Sequence, residues 1–248
     1  MNLKFLSTII EPQNEIAKVP SIAFAPNNRK LAIATADRHV YVHDEKFAQR
    51  DRFSTKPVDS QFGKKSYEIR SIVFSPDSSK LAVAQTDCIV FVYRLGDSWD
   101  ERKVICNKFN QSSAASALSW PEESRLIVGL VDGRVRIANI GTNKCSTIYK
   151  TDLLTTAIAT HPNRKSFVSG HVDGSIILYS FESRVQTKIV VHSTAPYCLL
   201  LTNFGILAAG ADRRIVSSTT TEMPTKKEFT VAVLDPSGFN VAIGSFDR

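Results

Sequence analysis

Apolar positions along this chain alternate with polar ones in short runs that stop at tight, polar breaks. The stretch Ser169-Gly170-His171-Val172-Asp173-Gly174-Ser175-Ile176-Ile177-Leu178-Tyr179 shows the pattern in full. A run ending in small residues meets an Asp-Gly pair, and an alternating apolar run leaves it. Alternation marks a strand with one buried face, and Asp-Gly suits a two-residue turn that needs positive φ, so the stretch predicts a β-hairpin. Asp-Gly recurs at Asp132-Gly133, and an Asp stands in the same place without its glycine at Asp37, Asp87, Asp212 and Asp247. Each follows a run of the same character: LAIATAD, LAVAQTD, LIVGLVD, ILAAGAD and VAIGSFD.

A second kind of break lies upstream of these turns, at Pro26-Asn27-Asn28, Pro76-Asp77, Pro121-Glu122, Pro162-Asn163 and Pro236-Ser237. Proline presets φ for the second position of a type I turn, and Asn or Asp tolerates the positions that follow. The fifth repeat carries Thr202-Asn203-Phe204-Gly205 there instead. Each repeat therefore predicts a strand, a Pro turn, a strand, an Asp turn, a strand, and a less regular outer strand such as KVICNKF, KCSTIYK or TKIVV.

Successive turn aspartates are 50, 45, 41, 39 and 35 residues apart, the period of one four-stranded propeller blade. Six positions after the first five of them stand His43, Tyr93, Ala138, Tyr179 and Ser218, where the WD40 family carries the tryptophan of its Trp-Asp signature. The chain resembles a WD40 propeller in which the signature is lost and the spacing kept. The expected fold is all-β, a WD40-type β-propeller of about five and a half blades out of seven, since seven blades need roughly 280 residues and the chain stops at the sixth Asp turn. Residues 1–248 then form one domain, a propeller fragment without ring closure. Leu3–Ile10 is a further strand candidate, placed where the first strand of such a chain completes the last blade.

Charge adds a direction. Lys plus Arg exceed Asp plus Glu by 31 to 24, a net charge of +7, which favours acidic partners. The basic pairs Lys64-Lys65, Arg102-Lys103, Arg164-Lys165, Arg213-Arg214 and Lys226-Lys227 are scattered over different blades, and few aromatics interleave with them, so nucleic acid is not the expected partner. Cys88, Cys106, Cys145 and Cys198 show no Cys-x-x-Cys spacing and read as free thiols of a reducing compartment. The N-terminal apolar run is too short for a secretory core and no stretch reaches membrane-spanning length, so the expected location is intracellular and nothing supports membrane contact.

No phosphate loop, zinc-binding His-Glu-x-x-His or nucleophile elbow is present, and the inner strands SIAFA, SIVFS, ALSW, TAIAT, CLLLT and VAVLD bring almost no carboxylate or histidine to a central channel. Catalysis, metals and cofactors are therefore not expected. His39 and His43 lie along one strand rather than on one helix face. His171 beside Asp173, with Ser169 and Tyr179, is expected to form part of the network by which intact WD40 blades tie the turn Asp to a His, a Ser or Thr and the Trp. Asp37, Asp87, Asp132, Gly133, Asp173, Gly174, Asp212 and Asp247 are thus structural turn residues.

The connections over 50–67 and 96–113 are longer than the rest, and lengthened loops in a regular array are where partners dock. Asp turns and the connections leading into each inner strand should share one face. That rule places Arg38, Cys88, Arg134 and Arg213 on the same rim as the 50–66 loop, and Arg38, Arg52, Lys56, Lys64, Lys65, Arg134, Arg213 and Arg214 are the candidate docking residues.

Several strings are not WD40 consensus. RDRFSTKPVD at 50–59, FSPDSSKLAVAQTD at 74–87, KVICNKFNQSSA at 103–114, VDGRVRIANIGTNKCSTIY at 131–149 and SGHVDGSII at 169–177, with the opening MNLKFLSTIIEPQNEIAKV, resemble the N-terminal propeller of the largest subunits of intraflagellar transport complex B. The resemblance implies a non-enzymatic scaffold of the cilium or flagellum and its basal body, associated with the cytoskeleton. The propeller would dock other complex B subunits, including one with a calponin-homology domain. It also implies a second propeller and helical repeats downstream, absent here. The alternative is a generic intracellular WD40 adaptor of the vesicle-coat or ubiquitin-ligase kind, which explains the repeats and leaves those strings unexplained.

Overall fold

The computed structural model describes residues 8–9, 18–58, 66–192, 194–202, 204–217, 222–224, 228–235 and 239–245. Most of the Leu3–Ile10 strand candidate, Lys64, Lys65, Ser218 and Asp247 lie outside them. Among the described residues every element is a strand, and no helix is long and apolar enough to cross a membrane.

The strands form five four-stranded antiparallel sheets and one hairpin, each in chain order from inside to outside. Blade 1 is β1 (Ser21–Phe24), β2 (Lys30–Ala34), β3 (His39–Asp44) and β4 (Gln49–Ser54). Blade 2 is β5 (Ile69–Phe74), β6 (Lys80–Gln85), β7 (Ile89–Arg94) and β8 (Val104–Asn110). Blade 3 is β9 (Ala115–Glu122), β10 (Arg125–Leu130), β11 (Arg134–Asn139) and β12 (Lys144–Lys150). Blade 4 is β13 (Thr155–Thr160), β14 (Ser166–His171), β15 (Ser175–Ser180) and β16 (Gln186–Val191). Blade 5 is β17 (Pro196–Thr202), β18 (Gly205–Gly210), β19 (Arg214–Ser217) and β20 (Glu222–Pro224). A sixth unit pairs β21 (Phe229–Leu234) with β22 (Val241–Ser245). Each inner strand packs on the inner strand of the next unit, from β1 on β5 through to β17 on β21.

Alternation along the second strands builds the core between blades. In β2, Ala32 and Ala34 face Ile72, Phe74, Leu81 and Val83 of blade 2; in β6, Ala82 and Ala84 face Leu118, Trp120, Leu126 and Val128 of blade 3. Ile127 and Tyr149 meet Phe167 and Tyr179 between blades 3 and 4, and Val168 and Ile176 meet Leu199 and Ile206 between blades 4 and 5. The residue three places before each turn Asp is always small: Ala34, Ala84, Gly129, Gly170 and Ala209. The reason is close approach. A Cβ on Gly129 would stand 2.7 Å from Thr155 Cγ2, and one on Gly170 2.6 Å from Pro196 Cγ, so the next inner strand rests directly on this position.

Two turn expectations are corrected. Pro26, Pro76 and Pro162 do sit in turns, each ending in a left-handed residue, Asn28, Ser78 and Arg164, but Pro121 lies inside β9 and the chain turns at Glu123-Ser124 instead. A register shift next to Arg125 accommodates the strand proline. The Asp turns are three-residue loops, not two-residue ones. The amides of Arg38, Gly133, Gly174 and Arg213 each donate to the carbonyl three residues back, and only this last residue takes positive φ, from 62° at Arg213 to 87° at Gly174. The Asp is therefore in ordinary backbone, and the residue after it bears the left-handed conformation, as Cys88 does at φ 65°.

Candidate docking surface

All Asp turns join the second strand of a blade to the third, so they project from one face of the array. Each turn is tied by its backbone to the two connections that flank it. The carbonyls of Arg38, Cys88, Gly133 and Gly174 accept the amides of Thr55 (3.0 Å), Gln111 (2.8 Å), Thr151 (3.0 Å) and His192 (2.6 Å), where the chain leaves each outer strand. On the other side the amides of Ala36, Thr86, Val131, Val172 and Ala211 donate to Lys18, Glu68, Ala114, Leu154 and Ala195, where the chain approaches each inner strand. A Cβ at Gly174 would drive into the His192 carbonyl, which is why that corner is glycine.

The aspartate side chains are occupied locally. Asp37 accepts from Thr35 Oγ1 and pairs with His39 Nδ1 at 2.8 Å. Asp87 accepts the Val58 amide at 2.8 Å, and the Gln85 amide nitrogen lies 3.1 Å from its other oxygen. Asp132 accepts from Ser112 Oγ (3.0 Å) and Arg134 Nη1 (2.6 Å). Asp173 accepts the amide and hydroxyl of Ser175 at 2.9 and 2.6 Å. Asp212 pairs with His192 Nδ1 at 3.0 Å, both side chains nearly inaccessible. Burial would raise Asp37, Asp132 and Asp173, but the hydrogen bonds they accept outweigh it and hold each below its usual pKa. At Asp87 burial wins over the single amide and the pKa is raised.

The expected network around His171 exists with different members. Tyr149 OH stands 2.6 Å from Ser169 Oγ, which stands 2.9 Å from His171 Nε2, and His171 Nδ1 faces the Leu153 carbonyl at 3.3 Å. The chain is consistent only one way: Nδ1–H donates to the carbonyl, and Nε2 accepts from Ser169, which accepts from Tyr149. Burial, its largest influence, pushes the pKa of His171 down and keeps it neutral. Asp173 turns away to Ser175, and Tyr179 contributes its ring, 6.0 Å from that of Tyr149, rather than its hydroxyl. The sequence reading missed Tyr149 and the His192–Asp212 pair. A signal existed: Ser112 and His192 each stand 20 residues before the Asp they bond.

The candidate basic rim is not one patch. Arg38 and Arg213 are turn corners in blades 1 and 5, while Arg134 and Arg214 are the first residues of β11 and β19. Arg38 stacks 5.1 Å over the Tyr67 ring beside a depression of about 280 Å³ lined by His39, Thr55 and Pro57. Arg134 is neutralised by Asp132. Arg52 is not in a loop at all: Gln49–Ser54 is strand β4, and Arg52 lies 5.2 Å over Tyr41 on the adjoining strand. Lys56 is exposed just past β4. The 95–103 connection emerges at the opposite face, where Glu101 Oε1 accepts the amides of Asp97 and Ser98 at 2.9 and 3.1 Å and Lys30 lies 5.3 Å from the Trp99 ring.

Inside, the inner strands enclose a channel of about 240 Å³ faced by Arg70, Ser71, Ser116, Thr156, Tyr197 and Thr230 among aliphatic residues. Among the described residues no three His, Cys, Asp or Glu side chains converge as a metal site would require, and the four cysteines are free, Cys198 buried with its pKa pushed up to about 11.

The WD domain, G-beta repeat family matches residues 55–94, that is, the first three strands of blade 2 with the connection leading into them. The solved structure of U3-55K superposes with a TM-score of 0.75, covering 94% of this chain and 76% of that one at 14% identity. The chain is a WD40-type β-propeller. Over its whole length this WD40 chain is also similar to the N-terminal region of much longer proteins. It is 48% identical over 257 residues to intraflagellar transport protein osm-1 of Caenorhabditis elegans, 45% over 262 to the intraflagellar transport protein 172 homolog of Rattus norvegicus, and 37% over 271 to intraflagellar transport protein 172 of Chlamydomonas reinhardtii. The chain spans 15% of the length of each of these relatives.

Proposed function

We propose that this chain is the docking propeller of a non-enzymatic scaffold subunit of intraflagellar transport complex B. It holds other train subunits for cilium assembly and for transport along the axoneme, and it works at the cilium, the flagellum and the basal body. The observation that carries this reading is identity of 48% sustained over the entire chain with a relative named for intraflagellar transport, on a fold that presents rigid turns on two faces. Backbone ties on both sides of the Asp turns of blades 1 to 4 fix those turns in place, and a fixed turn loses little entropy when a partner binds. The partners are other complex B subunits, one with a calponin-homology domain among them. Affinity purification of the tagged protein from ciliated cells, at low and moderate salt, is the test. Complex B subunits are the expected companions, and recovery of coat or ligase components in their place would overturn the assignment.

A further inference from the structure

Between the outer strands of blades 1 and 2 runs a groove of about 540 Å³. Its apolar wall is Phe53, Tyr93 and Ile105, with the two rings 4.8 Å apart and Val104 52% exposed beside them. Its polar wall is cationic. Lys56 and Arg102 are exposed, and Lys103, which pairs with Asp51 at 2.5 Å, lies 4.8 Å over the Phe53 ring. Tyr93 occupies the former tryptophan position of blade 2 and is 5% exposed, yet its hydroxyl has no hydrogen-bond partner among the described residues. The Lys56 backbone amide is near enough to favour the oxygen but not aligned for a bond, and in either case the hydroxyl proton has no acceptor. Burial pushes the Tyr93 pKa up to about 12, so the group is a donor throughout the physiological range. The same burial closes the hydroxyl off from the groove, so Tyr93 forms its wall with the ring and not with the oxygen.

From this groove we infer a binding site for an extended acidic peptide segment of a partner protein, whose carboxylates meet Lys56 and Arg102 while a large apolar side chain between them covers Phe53, Ile105 and Val104. The complementarity is one of charge and shape: two exposed cations with no carboxylate within ion-pair distance among the described residues and an exposed aliphatic surface lie in a single groove. The groove follows β4 and β8 along the outer side of the array, with Lys56 beside the Asp-turn face, where the Thr55 amide meets the Arg38 carbonyl, and Arg102 toward the opposite face. The inference rests on reading the chain as a docking module.

The test is fluorescence anisotropy with the full chain and a fluorescein-labelled decapeptide that alternates Glu with Leu. A matched peptide with Lys for Glu is the control. Saturable binding of the Glu peptide below about 1 mM is expected, weakening with salt as a charge-steered contact must. The double variant Lys56→Glu/Arg102→Glu changes only exposed side chains and should weaken it more than about tenfold. Arg134→Glu, on the Asp turn of blade 3, should leave it unchanged. Equal binding of the Lys peptide, no saturation, or indifference to the Lys56/Arg102 double reversal overturns the site. Purification of complex B subunits tests the broader reading independently. If it fails while the titration holds, the complex assignment falls and the groove stands; if it succeeds and the titration fails, the groove falls alone.

Discussion

Replacing Ser169 with alanine separates the two accounts of what holds the blade 4 hairpin together. Ser169 and His171 are fully inaccessible and Tyr149 nearly so. Ser169→Ala removes the hydroxyl that lies between Tyr149 OH and His171 Nε2. It thereby orphans a buried donor and a buried acceptor at once, each at about 1–3 kcal/mol, so a loss of about 3 kcal/mol is expected. Asp173→Ala, by contrast, removes an exposed carboxylate that bonds Ser175 and pairs with exposed Lys188 at 3.9 Å, where water replaces it, and about 1 kcal/mol is expected. Urea unfolding followed by circular dichroism and fluorescence gives both numbers, provided the two signals coincide and the slope is unchanged. With a slope near 2–3 kcal/mol per molar, Ser169→Ala should lower the midpoint by about 1 M or more. Adding Tyr149→Phe to Ser169→Ala should recover part of the loss, because the orphaned phenol is then gone. If Asp173→Ala costs as much as Ser169→Ala, or if the double variant is simply additive, the buried hydroxyl chain is not what stabilises this turn.

Three further outcomes follow from the packing and the buried groups. Gly170→Val places side-chain atoms against Pro196 and Leu199 and should cost more than about 2 kcal/mol in the same assay, whereas Val172→Ala, on an exposed turn residue, should cost less than about 0.5 kcal/mol. Gly174→Ala combines φ of 87° with a collision against the His192 carbonyl, so a loss of about 1–3 kcal/mol is expected and a neutral result would mean that this connection yields freely. For His43 and His171, burial sets folded-state pKa values below those of the unfolded chain. The unfolded state then binds the extra protons, so stability is constant for these groups above pH about 6.5 and falls as pH drops from there toward the lower folded-state values. Asp37, Asp132 and Asp173, held low by the bonds they accept, lose their contribution only below about pH 4, and Asp87 and Glu123, which are raised, act in the opposite sense, so a loss of stability between pH 6.5 and 5 is the mark of the histidines. His43 is 1% exposed with neither ring nitrogen bonded among the described residues, and His43→Leu should flatten the slope there; an unaltered slope would show that His43 does not titrate on unfolding.

The fold was readable because its determinants are periodic. Five of the six aspartates at blade spacing mark described second-to-third-strand turns, Asp247 lying outside the described residues, and the described blades follow the expected strand order. What escaped the reading depends on contacts distant in sequence. Pro121 looks like Pro76 and Pro162, yet it continues a strand because Trp120 packs into the core between blades 2 and 3 and holds the chain extended. Arg52 looks like loop charge, yet it stands opposite Tyr41 in a ladder. Ala34, Ala84, Gly129, Gly170 and Ala209 were visible as a column of small residues, but only the approach of the next inner strand explains them. The orphaned Tyr93 hydroxyl and the cations around it come from two different blades, and no local pattern announces such a meeting.

The loss of the Trp-Asp signature has a physical explanation in the turns themselves. What is constant from blade to blade is backbone: the turn amide and carbonyl bonded to the connections on either side. Those bonds depend on spacing and on one left-handed residue, not on which side chain follows. Each blade then satisfies its buried polar groups in its own way. Twenty places before the turn Asp, blade 3 uses Ser112 and blade 5 uses His192, while blade 4 has Leu153 there, offers its carbonyl, and carries the histidine at the end of β14 instead. With the turn held by its backbone, the tryptophan position is released from that duty and holds His43, Tyr93, Ala138 or Tyr179. A position no longer needed for the turn can serve something else, and in blade 2 it places an aromatic ring in the wall of an open cationic groove.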